Sequence, residues 1–136
     1  MNLNFIVNKP IETVFEYLTD MQKFASIHPV ISKIDNVSPN RFLVHETLKL
    51  GFIPFSFTYP VTIEHNFNDK KIIIKATVMK LTKIEMIYHL RTENNFTIID
   101  ETIIIKSPLP IKTIMETIFR KQHTIMFKNI EAQNNI

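Results

Sequence analysis

For about eighty residues after Pro29 the apolar side chains return at every second position, and no other feature narrows the possible folds of this chain as much. A period of two is that of a β-strand with one face buried. It predicts strands at 30–37, 41–50, 55–67, 71–80, 83–92 and 95–106. Between them stand "SPN" at 38–40, Gly51 to Pro54, "NDK" at 68–70 and "ENN" at 93–95, all rich in turn-forming residues. Strands in succession with links this short form an antiparallel meander.

The period changes on both sides of this block. In "NLNFIVNKP" Phe5 and Val7 alternate weakly as a first strand, and Pro10 then stands where a first helical turn tolerates a missing N–H. Ile11, Val14, Phe15 and Leu18 make one helical face, and Met21, Phe24 and Ile27 continue as a second short helix that stops before Pro29. After "SPLP" at 107–110, Ile114, Met115, Ile118, Phe119, Met126 and Ile130 draw an apolar stripe along a helix of about twenty residues that starts near Ile111. The order is one strand, two short helices, six strands and a long helix, an α+β arrangement in which the last helix buries its stripe on the inner face of the sheet. With 136 residues and 45% apolar content, one core and one domain over 1–136 are expected.

Composition removes several classes of function. Without cysteine there is no disulfide, thiolate metal site or thiol nucleophile, and a reducing compartment such as the cytoplasm is the expected location. No leader-like or membrane-spanning apolar run is present in the sequence, so neither secretion nor stable membrane insertion is expected. The net charge of +3 is spread over single lysines, which argues against nucleic acid as a partner. A single glycine rules out a Gly-rich phosphate loop, no G-x-S-x-G elbow occurs, and no histidine spacing suits a metal, so no metal or other cofactor is expected.

The segment "VNKPIETVFEYLTDMQKFASIHPVISKI" (7–34) and the tail "NNFTIIDETIIIKSPLPIKTIMETIFRKQHTIMFKNIEAQ" carry a family resemblance. A strand, a Pro-started helix, a second helix ending in "HP", and a final strand leading into a long helix resemble the START-like superfamily. That superfamily includes birch-pollen-allergen-like proteins, polyketide cyclases and lipid-transfer domains. Two departures are visible: Ile27 stands where a tryptophan is common, and Asn or Asp replaces most of the turn glycines. The resemblance implies a helix-grip fold, in which a curved antiparallel sheet of about seven strands grips the long C-terminal helix and leaves a cavity between them. Most members bind or transfer apolar molecules and some cyclise or dehydrate them, so the fold alone does not choose.

Alternation assigns the candidate residues to faces. Glu46 shares a face with Phe42, Val44 and Leu48; Phe55, Phe57, Tyr59, Val61, Ile63, His65 and Phe67 share another; and Ile84, Met86, Tyr88 and Leu90 a third. The last strand is ambiguous from its residues, and the superfamily's alternation favours Ile99, Glu101, Ile103 and Ile105 inside. With Met115 and Phe119 from the long helix, the expected ligand-lining set is Glu46, Phe55, Phe57, Tyr59, Ile63, His65, Met86, Tyr88, Glu101, Met115 and Phe119. Its polar members, Glu46, His65, Glu101 and the two phenols, could orient a ligand's polar end or move a proton, although no residue is assigned as catalytic.

His28 reads as a cap at the cation-favouring end of the second helix, His123 as partly exposed, and His45 and His89 as outward. The apolar bend of Phe52 and Ile53 reads either as the lip of a cavity entrance or as a turn folded back on the core. The expected function is binding or transport of a small hydrophobic or amphipathic ligand: a lipid, a quinone or a polyketide-like molecule. The alternatives are a cyclase or dehydratase with a His/Glu pair in the cavity, and a protein-interaction module resembling the superfamily's ubiquinone-chaperone and ribosome-associated branch.

Overall fold

The computed structural model of the chain describes residues 1–50 and 52–134. These form β1 (Asn2–Val7), α1 (Ile11–Thr19), α2 (Met21–Ile27), β2 (Ile31–Ser38), β3 (Arg41–Leu50), β4 (Ile53–Asn66), β5 (Lys71–Val78), β6 (Thr82–Glu93), β7 (Phe96–Lys106) and α3 (Lys112–Glu131). The strands make one seven-stranded antiparallel sheet in the order β1-β7-β6-β5-β4-β3-β2. It is the meander that the alternation predicts, with β1 added beside β7, and α3 lies across its inner face. The predicted bend at Gly51 falls outside the described residues.

Local chemistry explains the helix boundaries. Asp20 ends α1 and starts α2: its backbone N–H donates to the Glu16 carbonyl, and its Oδ1 accepts from the N–H groups of Gln22 (3.0 Å) and Lys23 (3.2 Å). Removing that cap by Asp20→Ala is expected to lower stability by about 1 kcal/mol in urea denaturation. α2 stops at His28 because the following Pro29 disfavours helical backbone. The scarcity of glycine is met by asparagine, since Asn40, Asn94 and Asn95 take the left-handed turn conformation with φ of 62°, 52° and 68°.

The core lies between the inner face of the sheet and the three helices. Val14 and Leu18 of α1, Phe24 and Ile27 of α2, and Met126 and Ile130 of α3 meet Ile72, Ile99 and Ile103 from the strands. α3 is anchored unevenly. Its buried residues, Gln122, His123, Met126, Phe127 and Ile130, all belong to its second half, where Phe127 packs on Phe5 with ring centroids 4.5 Å apart and Asn129 Nδ2 donates to the Ile27 carbonyl (2.9 Å). In the first half Met115, Ile118 and Phe119 are half-buried and Ile114 is 63% exposed, so the continuous stripe expected from 114 to 130 is corrected there. The packed seam runs 115, 119, 122/123, 126 and 130, and Ile114 is one position off it. No described helix is long and apolar enough to cross a membrane.

Candidate functional site

The inner face of the sheet carries two hydrogen-bonded polar pairs inside an apolar interior. β3 presents Glu46 and β4 presents Tyr59, whose hydroxyl donates to Glu46 Oε2 at 2.6 Å. On the other side Tyr88 of β6 and Glu101 of β7 are direct cross-strand neighbours. α3 lowers His123 onto Glu101, with Nδ1 2.8 Å from Oε1 and 2.7 Å from Oε2; Glu101 is 0% exposed and His123 1%. Oε2 lacks hydrogen-bond geometry and is the one buried side-chain oxygen or nitrogen without a partner among the described residues. The Tyr88 hydroxyl donates to the thioether of Met86 at 3.5 Å.

His28 completes the group. As the C-cap of α2 it stacks on Phe24, turns its ring edgewise to His123 at 6.4 Å between centroids, and accepts the Val30 N–H on Nδ1 (3.3 Å). Burial, with His123 adding repulsion, pushes its pKa down to about 3. The cation that a helix end favours is therefore not the form present near neutral pH, because the helix-end field contributes at most about 2 kcal/mol and desolvation exceeds it. Burial also raises Glu46 above the usual carboxylate range, against the opposing effects of the Tyr59 hydrogen bond and His123. Both phenols are raised well above the ordinary tyrosine value, by burial first and then by Glu46 for Tyr59 and Glu101 for Tyr88.

Two adjoining spaces run through this group. The inner one, about 40 Å³, is bounded by His28, Glu46, Tyr59, Gln122 and His123 among apolar residues. The outer one, about 80 Å³, lies between Leu48, Phe57, Met86, Met115 and Phe119, and the two share Glu46, Tyr59, Ala76, Met86 and Phe119 as walls. The inner volume is about that of one water molecule, roughly 30 Å³, whereas sites for small organic ligands occupy about 300–1,000 Å³. The interior is thus less hollow than the family resemblance implies. The side chains that take up the room, Met86, Met115 and Phe119, include two flexible methionines, and two of the three stand on the loosely packed first half of α3. A larger depression of about 320 Å³, lined by Lys75, Lys83, Glu85 and Lys106 among others, is more open to solvent.

Of the expected lining residues, Glu46, Phe57, Tyr59, Met86, Met115 and Phe119 border these spaces. Ile63, Tyr88 and Glu101 are buried in the surrounding core. Phe55 is stacked on Phe57 but 41% exposed, towards the β3–β4 hairpin tip. His65 does not join them: it is exposed near the far end of β4, its ring edge against Phe15 of α1 at 5.7 Å. Alternation gave its face, but that end of the strand lies beyond the cover of α3.

The histidine that does meet a carboxylate is His123, which the sequence reading placed partly in solvent. Its spacing could have revealed it, four residues after Phe119 and three before Met126, had the apolar stripe been drawn at the width of a core-facing helix rather than a narrow seam. His45 faces outward and pairs with Asp35 at 2.7 Å, and His89 is exposed. Among the described residues no three His, Asp or Glu side chains converge as a metal site.

The fold is shared widely among solved structures. Ara h 8.0201 superposes with a TM-score of 0.75 at 16% identity, over 96% of this chain and 93% of that one. A START superfamily protein from Mycobacterium smegmatis gives 0.72 at 13% identity, covering 96% and 93%. The Zhui aromatase/cyclase from Streptomyces sp. R1128 gives 0.65 at 11% identity, covering 96% and 90%. Identities this low establish the fold alone. No curated protein has a sequence that matches. Residues 4–99, well over half of the chain and spanning β1 to the first part of β7, match the family of the carbon monoxide dehydrogenase component CoxG. With the helix-grip fold and this match in agreement, the chain belongs to the CoxG family within the START-like superfamily.

Proposed function

We propose that the protein binds a small hydrophobic or amphipathic ligand, of lipid, quinone or polyketide-like chemistry, between the sheet and the first half of α3. The observation that carries this reading is the enclosure of polar pairs beside an apolar passage: Glu46 with Tyr59 and Glu101 with His123. Glu101 occupies His123 Nδ1, which leaves Nε2 for a ligand's carbonyl or hydroxyl, and the apolar part would lie along Phe57, Met86 and Met115. The present space is small, so binding proceeds by outward displacement of Phe119 and Met115, with affinity from apolar burial at about 25 cal/mol per Å².

Native mass spectrometry of protein freshly purified from its own host is expected to show a co-purifying small molecule. In solution, 1-anilinonaphthalene-8-sulfonate is expected to bind, with affinity reduced at least tenfold by Ala76→Met, which fills the wall common to both spaces, and enhanced by Phe119→Ala. Unchanged binding in both variants would place the dye elsewhere and refute the site. A stoichiometric protein partner with no bound small molecule would instead support the interaction-module reading.

A cyclase or dehydratase is the second reading, favoured by the Glu101–His123 pair, because an imidazole held by a carboxylate can take a proton from a bound ligand. His123→Gln then abolishes turnover while dye binding persists; a carrier shows no turnover in the parent protein.

A further inference from the structure

One end of the sheet gathers most of the chain's large exposed apolar side chains. The antiparallel order places the β3–β4 hairpin tip, the β5–β6 turn and the segment from β7 into α3 all at that end. The tip bears Phe52, fully exposed, and Ile53; the turn bears Met79 and Leu81; the segment bears Leu109 and Ile114, and all are exposed. The lip reading of the apolar bend therefore describes Phe52 better than a turn folded on the core. Residues 53–60 of β4 pair with β3 and lie beyond the reach of β5, whose pairing with β4 begins at Val61, so the tip projects past its neighbours.

Charge accompanies this apolar surface. Lys49 stands beside the tip, Lys80 in the turn, and Lys112 at the start of α3, all exposed. Lys83 and Lys106 are direct cross-strand neighbours, an arrangement that repels in the free protein. Among the described residues none of these five lysines is in an ion pair. The carboxylates closest to them in sequence are engaged elsewhere: Glu85 is the cross-strand neighbour of Lys75, and Glu116 lies 3.9 Å from the Met1 amino group.

The β5–β6 turn is also held at a conformational cost. Met79 and Lys80 both take the left-handed conformation, with φ of 53° and 62°, where asparagine and glycine are the low-energy choice. The turn at Asn94–Asn95 on the opposite end of the sheet uses residues that tolerate this conformation. The strained turn is therefore also the one that displays an apolar side chain next to a cation.

We propose that this end of the molecule docks reversibly on an anionic lipid bilayer, with Phe52 and Ile53 entering the headgroup boundary and the five lysines against the lipid charge. Unpaired like charges and exposed aromatic surface are both costly in solution and both relieved at a negatively charged interface. The inference does not depend on whether the interior takes a ligand. The docking is peripheral, made by turns and side chains, and needs no spanning segment.

Co-sedimentation of the full chain with vesicles of phosphatidylglycerol and phosphatidylcholine, compared with phosphatidylcholine alone, tests it. Binding is expected on the mixed vesicles, weakened by added salt, and weakened about fivefold by each of Lys83→Gln and Lys112→Gln. Phe52→Ser is expected to reduce it at least tenfold without moving Tm, since the side chain makes no buried contact. Met79→Asn with Lys80→Gly is expected to raise Tm by a few degrees while weakening binding, a combination that a purely structural turn would not produce. No binding to the mixed vesicles, or binding indifferent to Phe52→Ser, overturns the proposal. A self-association in solution that Phe52→Ser abolishes also overturns it, in favour of a second copy of the chain as the occupant.

Discussion

Glu101→Ala is expected to lower the free energy of unfolding by about 3–5 kcal/mol, a large part of the 5–15 kcal/mol typical of a domain this size. Both members of the Glu101–His123 pair are withdrawn from water, so removing one leaves the other's polar atoms with no partner and no hydration. The same reasoning predicts that the double replacement Glu101→Leu with His123→Leu costs much less than either single truncation, because an apolar pair leaves nothing unsatisfied. Urea denaturation of the four proteins in the cycle measures this. A single variant within 1 kcal/mol of the parent, or a double variant as damaging as the sum of the singles, would contradict the pair's role as a mutually dependent unit. The pair persists in a core that could have been wholly apolar, which is the pattern expected where a buried polar group serves a ligand rather than stability.

Acidification is expected to destabilise the protein through His28 by an amount on the order of 4 kcal/mol. The unfolded chain takes up a proton at His28 as the pH falls through 6.5, whereas the folded protein does so only near about 3. The stability linked to this group is therefore fully present above pH 6.5 and is lost progressively down to about 3. Glu46 acts in the opposite sense, because its folded pKa is raised: its contribution is present at low pH and disappears as the pH rises through that value. The two partly offset each other on the acid side. A Tm profile across this range should flatten in His28→Phe and steepen in Glu46→Leu; a His28→Phe profile parallel to that of the parent would refute the assignment.

The meander was legible because alternation in one sequence is enough to define a strand with one wet face, and each predicted strand from β2 to β7 matches an observed one within about two residues. The inner face of β7 was not legible from its residues, since Ile98 and Ile99 are both buried; the superfamily's alternation decided it. His65 shows what alternation omits: it gives the side of a sheet but not the stretch that a helix covers. His123 shows the complementary error on a helix, where a stripe drawn too narrowly moved a buried ring into solvent. The volume left between sheet and α3 was beyond sequence reasoning, because it is the small remainder after Met86, Met115 and Phe119 have settled into place.

The position of β1 carries a consequence for how the molecule is made. It hydrogen-bonds to β7, with Asn4 donating to Asp100 across 96 residues of sequence, and its other edge has no strand beside it. During synthesis the first strand emerges long before its partner, and contacts of such high sequence separation form slowly. Until β7 and α3 leave the ribosome, the isoleucines of the growing sheet have no lid. That interval is when chaperones would matter most to this chain.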